Sequence, residues 1–240
     1  MNTREEKLQA FGRLLDVLDE LRVKCPWDRK QTNESLRPNT IEETYELCDA
    51  LMNHDDANIC KELGDVLLHV CFYAKIGSEH GAFDMADVCN HLCDKLIFRH
   101  PHVFPPEGQA QADVNTAQAV SEQWELLKQK EKDGNKTVLS GVPDALPALI
   151  KAYRIQDKAR NVGFDWEDRT QVWDKVKEEI SEFEVEAKQG NQDDMEKEFG
   201  DVMFSLINAA RLYKINPENA LEKTNRKFIR RFNYLEAHTL

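Results

Sequence analysis

Eight carboxylates, arranged as two copies of one pattern, are the residues of this chain best spaced to do chemistry. The first copy has Glu43 and Glu46, then Glu62 and Asp65; the second has Glu179 and Glu182, then Glu198 and Asp201. Members of each pair are three residues apart, so on a helix they share one face. If the two helices of a copy form an antiparallel hairpin, residues equidistant from the turn stand at the same level. Glu43 and Asp65, like Glu46 and Glu62, are symmetric about residue 54, and the second set is symmetric about residue 190. Those centres fall at His54-Asp55-Asp56 and Gly190-Asn191, where polar and glycine residues already suit a turn. Four carboxylates per hairpin are therefore expected to converge. Gathering four like charges between helices is costly unless a cation compensates, and an all-oxygen donor set suits Mg²⁺, with Mn²⁺ as a substitute, rather than zinc. A di-iron centre would need Glu-x-x-His pairs, and here the last member is Asp65 or Asp201. A single EExxE is most simply a solvated helix face. Its recurrence at fixed spacing favours the ligand reading.

The recurrence extends well beyond the acids. Residues Glu42 to Lys75 align without gaps on Glu178 to Arg211 at an offset of 136, with nine identities in 34 positions. Further on the offset becomes 132, pairing Lys95 with Lys227 and Arg99 with Arg231. These cations have the spacing to grip the phosphates of a metal-bound nucleotide, although isolated examples are usually solvated charges. The second copy is richer, with Arg226, Lys227, Arg230 and Arg231 within six residues, whereas Pro101 ends the corresponding helix of the first. The second copy is thus expected to be catalytic and the first structural or regulatory. Thr40 with Glu43 could instead form a capping box, but the second copy has Val176 at the matching place. Cys25-Pro26-Trp27-Asp28 and Gly163-Phe164-Asp165-Trp166 precede the two acidic hairpins and read first as structural turns, with their tryptophans able to stack on a base.

Helices must carry these groups. Apolar residues recur at helical spacing and strand-like alternation is missing, which predicts an all-α fold. The expected helices run from about 4 to 23, 40 to 53, 56 to 79, 84 to 98, 115 to 132, 145 to 161, 171 to 188, 192 to 214 and 217 to 237. The organisation that follows is a first domain over 1–132, a linker over 133–143 containing Gly134, Gly141 and Pro143, and a second domain over 144–240. Apolar faces along Val66, Leu67, Val70, Cys71 and Ala74, and along Val202, Met203, Leu206, Ile207 and Ala210, are too extensive for one hairpin to cover. A homodimer that packs hairpins into four-helix arrangements is expected.

The 240 residues hold 32 Lys and Arg against 44 Asp and Glu, a net charge of −12 that disfavours a nucleic acid polymer as partner. No run is long and apolar enough for a membrane span, and the start Met1-Asn2-Thr3-Arg4-Glu5-Glu6 does not read as a signal peptide, so a cytoplasmic location is expected. Six cysteines, without CxxC and several of them at apolar-periodic positions, are expected to be reduced core thiols. Cys89, His91 and Cys93 do not make a zinc site, because His91 would leave a helix in another direction from the two cysteines.

With these motifs in hand, the sequence resembles the long form of the MazG family of nucleoside triphosphate pyrophosphohydrolases, which has two tandem MazG domains. The resemblance rests on Cys25-Pro26-Trp27-Asp28, Ile41 to Glu46, Glu62 to Leu68, Arg99 to Phe104, Asn161 to Trp166, and Lys227-Phe228 with Arg230-Arg231-Phe232. It implies an all-α dimer that binds Mg²⁺ and hydrolyses a nucleoside triphosphate to the monophosphate and pyrophosphate, with activity in the second domain. Carried over by motif, Glu179, Glu182, Glu198 and Asp201 become metal ligands, with Glu43, Glu46, Glu62 and Asp65 as a second set. Lys227 and Arg231, joined by Arg230, hold the triphosphate; Lys175, Glu178 and Lys197 add contacts, and Glu178 or Glu179 orients or deprotonates the attacking water. Relatives of this form usually continue past the Arg230-Arg231-Phe232 segment into a tail whose Trp reaches the nucleotide, so weaker or less selective base binding is expected here. A broad base range and the clearing of aberrant nucleotides follow as expectations. The competing class is a non-catalytic helical module that binds a nucleotide or protein and keeps its carboxylates for folding.

Overall fold

A computed structural model describes residues 1–108, 116, 119, 120, 123, 124, 127, 137–166 and 168–239. Every regular element among them is helical: α1 Arg4–Lys24, α2 Asn33–Asn53, α3 Asp56–Glu79, α4 Met85–Arg99, α5 Ala148–Arg160, α6 Gln171–Gln189, α7 Gln192–Leu212 and α8 Pro217–Thr239, with one short 3-10 turn at Asp28–Lys30. The all-α expectation holds. The helix expected over 115–132 lies largely outside the described residues.

The chain separates into two compact units, Met1–Phe98 and Arg99–Leu240. The expected domain end at 132 and the first linker residues, 133–136, lie outside the described residues; Thr137 to Pro143 form turns, in which Ser140 and Thr137 cap one another. His100 already packs edge-on against Trp124, at 5.0 Å between rings, within the second unit.

In the first unit, α2 and α3 form an antiparallel hairpin and α1 packs across α3. Leu18, Leu36, Cys71, Phe72 and Ile76 make its core. The helix α2 begins seven residues before the expected position. Thr32 and Ser35 form a reciprocal capping box that starts it, and Pro38 lies inside the helix, one turn past its start, where it forgoes one backbone hydrogen bond. Thr40 therefore lies mid-helix rather than at a cap. Its hydroxyl donates to the Leu36 carbonyl or shares a proton with His69 Nδ1 and Tyr73 OH, at 3.0, 3.0 and 2.6 Å.

The second unit repeats the hairpin with α6 and α7, around the smaller cluster of Val172, Val176 and Ala209, and α5 packs along α7. At both predicted turn centres the backbone turns left-handed: His54, φ 54°, ends α2, and Gly190, φ 77°, ends α6. Asp55 and Asn191 then cap the returning helices.

The cysteines are free, but only Cys71 belongs to the core, where burial pushes its thiol up. Cys48, Cys60, Cys89 and Cys93 are exposed, which corrects the expectation of core thiols. These four lie on helix faces that are exposed among the described residues. From Cys89 to Phe98 on α4, and from Lys227 to His238 on α8, every residue is exposed.

Candidate metal and nucleotide site

Each hairpin brings three carboxylates together. Oxygens of Glu43, Glu62 and Asp65 lie within 4.8 Å of one another, and so do those of Glu179, Glu182 and Glu198. Glu43 and Glu62 correspond to Glu179 and Glu198 under the offset of 136, so the two triads share a diagonal pair and differ in the third member. Glu46 and Asp201, the remaining expected members, stand outside the tight groups. Glu46 lines the adjoining acidic concavity with Glu42, Asp49 and Glu62, and Asp201 is exposed on α7.

The lysines beside the two triads differ as well. Lys61 lies 2.8 Å from Glu62 and 3.9 Å from Asp65, beside two members of the first triad. In the second hairpin the equivalent Lys197 is held at 2.7 Å by Asp194, whose counterpart is the neutral Asn58. Lys175 takes over there, 2.9 Å from Glu179 and 3.1 Å from Glu178. Phe183 and Phe199, next in sequence to Glu182 and Glu198, pack edge to face at 5.7 Å and join the two helices at this level.

The electrostatics are those of crowded acids. Glu43 is pushed above the ordinary carboxylate range by burial and then by Asp65, Glu46 and Glu62. Glu182 moves the same way, through loss of solvent and its hydrogen bond with Glu179. Glu62 is 2% exposed, and while Oε1 meets Lys61, Oε2 has no partner. A buried carboxylate oxygen left unsatisfied is destabilising, and a cation would satisfy it. Oxygen donors alone, partly dehydrated and clustered within ion-binding distance, fit a hard divalent ion.

The expected phosphate-binding residues are not brought onto the triad. Lys197 is engaged with Asp194, and Lys227, Arg230 and Arg231 are exposed on α8, with no ion pair to these carboxylates among the described residues. Arg230 and Arg231 instead border a concavity with Tyr234 and Leu235. The physical reason is the exposure of α8 beyond Arg226: among the described residues, nothing buries this segment and so nothing aims its cations. Of these predicted residues Lys175 reaches the triad, through Glu179, and Glu178 pairs with Lys175.

The turn Gly163-Phe164-Asp165-Trp166 is locked by Arg211, whose guanidinium donates to both Asp165 oxygens, 3.1 Å for the longer contact. Gly163 takes φ 87°, and Phe164 N donates to Ala159 O at 3.0 Å, so the turn closes the end of α5. The structural expectation for this motif fits. A cleft on its inner side is not legible in the sequence, because the cleft depends on how α5 packs along α7.

Comparison with known proteins follows the same residues. The description "MazG nucleotide pyrophosphohydrolase domain" matches twice, at 31–104 and 168–235, and so contains both acidic hairpins. The chain is 44% identical over 229 residues to the nucleoside triphosphate pyrophosphohydrolase/pyrophosphatase MazG of Thermotoga maritima, covering 94% of this chain and 85% of that protein. It is 42% identical over 236 residues to the nucleoside triphosphate pyrophosphohydrolase of Escherichia coli K12, covering 95% and 88%. A crystal structure of a mazG-related protein from Thermotoga maritima matches 49% of this chain and 98% of its own length at TM-score 0.42 and 24% identity. With two copies of the family's domain holding its two carboxylate hairpins, and with relatives aligned nearly end to end, this chain belongs to the MazG family.

Proposed function

We propose that the chain hydrolyses nucleoside triphosphates to nucleoside monophosphates and pyrophosphate with Mg²⁺, or Mn²⁺ in its place, and that the second hairpin carries the reaction. The observation behind this reading is the triad Glu179, Glu182 and Glu198, held within 4.8 Å in the part of the chain that matches the family's domain. Relatives named as nucleoside triphosphate pyrophosphohydrolases support the reaction class.

In this mechanism Glu179, Glu182, Glu198 and Asp201 would hold the ion, with Glu43, Glu46, Glu62 and Asp65 as a second site. When bound, a divalent ion supplies neutralisation of the triphosphate and acidification of water. Lys175 releases its carboxylates and takes a phosphate oxygen, a contact its three donors allow. Glu178, exposed at the rim beside Lys175, accepts the proton of a water that attacks one phosphorus of the α–β anhydride. The bond from that phosphorus to the bridging oxygen breaks, the other half of the anhydride leaves with that oxygen, and the products are the nucleoside monophosphate and pyrophosphate. Lys227, Arg230 and Arg231 join the triphosphate when α8 is packed, which is the role we assign to dimerisation. Exposed Leu92, Leu96, Ile97 and Phe98 on α4, with Phe228, Ile229, Phe232 and Leu235 on α8, supply the apolar surface for it. Broad base range, clearing of aberrant nucleotides and a cytoplasmic setting complete the proposal.

The test is to incubate the full chain with each nucleoside triphosphate and Mg²⁺ and identify products by phosphorus NMR. Monophosphate and pyrophosphate are expected, with turnover abolished by EDTA and restored by Mg²⁺ or Mn²⁺. Nucleoside diphosphate with phosphate, restoration by zinc alone, or no turnover would reject it, the last in favour of a non-catalytic helical module.

A further inference from the structure

Within the second unit a cleft of about 520 Å³ opens between α5, α7 and the Gly163 to Trp166 turn. Its volume lies in the range of small-molecule sites, and its mainly apolar walls include three aromatic rings, Phe164, Trp166 and Phe204. Phe164 is 81% exposed and Trp166 40%, although the turn that presents them is fixed by the Asp165 and Arg211 pair. Large aromatic faces held on a rigid turn and left bare are a stacking surface.

The polar groups of the cleft are few, and their orientations follow from their partners. Gln156 is 6% exposed; its amide nitrogen donates to the Phe204 carbonyl at 2.8 Å. A carbonyl can only accept, so the side-chain oxygen of Gln156 must be the other atom, and it has no partner. Asn208 Oδ1 accepts from Arg211 Nε and Nη2, at 3.1 and 2.8 Å, and a guanidinium can only donate. The Asn208 amide nitrogen is thereby left as a donor. The cleft lining thus holds an unused acceptor and an unused donor, while its charges, Asp165 and Arg211, neutralise one another.

Position relates the cleft to the carboxylates. Asp201, Phe204, Asn208 and Arg211 are spaced three, four and three apart, one stripe of α7. Phe204 and Asn208 stand about 5 and 10 Å beyond Asp201 along the helix axis. The base of an extended nucleotide lies at a comparable remove from its phosphates.

We propose that this cleft is the nucleobase subsite of the second hairpin, with the base stacked on Phe164 or Trp166 and its edge met by Gln156 and Asn208. The inference rests on the pyrophosphohydrolase reading and deepens it. Adenine, cytosine, guanine and uracil each present an N–H donor beside an oxygen or nitrogen acceptor. One acceptor with one donor therefore recognises a base without selecting which, in keeping with a broad base range.

The test compares ATP and CTP with a ribose triphosphate analogue that lacks the base, in the wild-type chain and in Phe164→Ala and Trp166→Ala. Phe164 is so exposed that its truncation leaves the fold standing. The advantage of each nucleotide over the baseless analogue in kcat/KM should shrink about five- to a hundredfold in the variants, mostly through KM. An advantage that both variants retain in full would overturn the assignment. Should the wild-type chain turn over no nucleotide, the pyrophosphohydrolase reading fails separately, and saturation-transfer NMR with AMP still tests the cleft. Binding that is lost in Phe164→Ala supports the subsite; no binding, or binding equal in both chains, rejects it.

Discussion

Lys175 Nζ lies 2.9 Å from Glu179 Oε1, so the most buried carboxylate of the second hairpin already has a cation of its own. The hydrogen bond to Glu179, followed by that to Glu178, holds the ammonium far above the ordinary lysine range. On the proposed reading, a metal ion at Glu179 would compete with this amine, and the displaced amine would then meet the triphosphate.

Lys175→Met is therefore expected to move two affinities in opposite directions. Manganese alone, titrated by electron paramagnetic resonance, should bind more tightly because its competitor is gone. The KM for nucleoside triphosphate should rise about tenfold or more with loss of a charge-assisted contact. Manganese binding that stays the same or weakens would contradict the competition.

Glu182→Gln should lower turnover at least about a hundredfold, because it deletes one charge from the second triad. Glu46→Gln should leave most activity, since Glu46 lies outside both tight groups and in the first hairpin. Glu182 is also held above the usual range by loss of solvent and by Glu179, so the metal-free Glu182→Gln variant should melt at a higher temperature than the wild-type chain. If Glu46→Gln is inactive and Glu182→Gln normal, the catalytic hairpin is the first.

The second unit should carry an acid-sensitive lock. Burial alone would raise the Asp165 carboxyl, but Arg211 and the Trp166 N–H outweigh it and hold it below the ordinary range. The folded value is thus lower than the unfolded one. The resulting stability is complete above the unfolded aspartate value, about 3.9, and is lost as pH falls through the folded value. Asp165→Asn should flatten this acid limb, followed by tryptophan fluorescence, and lower stability near neutrality by about 2–3 kcal/mol. An unchanged acid limb would show that the pair does not govern it.

The first unit should respond at milder pH through His69. Burial lowers its imidazole, with Asp65 opposing, and Thr40 and Tyr73 tie the ring into a polar core. Its folded value lies below the unfolded value of about 6.5, so its contribution is complete above that pH and declines as pH falls through the folded value. The His69 ring proton should titrate with a midpoint below 6.5 in NMR; a midpoint at or above 6.5 would refute the assignment.

Much of this architecture is legible in the sequence because helical spacing and repetition constrain each other. The symmetry of Glu43 and Asp65 about His54, and of Glu179 and Asp201 about Gly190, locates both turns. It cannot choose the third member of each triad, since that depends on side-chain contacts such as the hydrogen bond between Glu182 and Glu179. The Asp194 and Lys197 pair is present as an i, i+3 spacing, and so is the contrast with Asn58. Pro38 conceals the true start of α2 behind the Thr32 and Ser35 cap. Gln156 and the cleft give no local signal, because an orphaned oxygen emerges only when α5 docks on α7.

The tight closure of the hairpins at His54 and Gly190 has a consequence for how the molecule is made. Glu179 and Glu198 are only 19 residues apart in the chain, and Glu43 and Glu62 likewise 19. Contacts of such short range form early and fast. During synthesis the first acidic hairpin can therefore close while the second is still untranslated, so that each set of carboxylates is assembled locally rather than by the late meeting of distant segments.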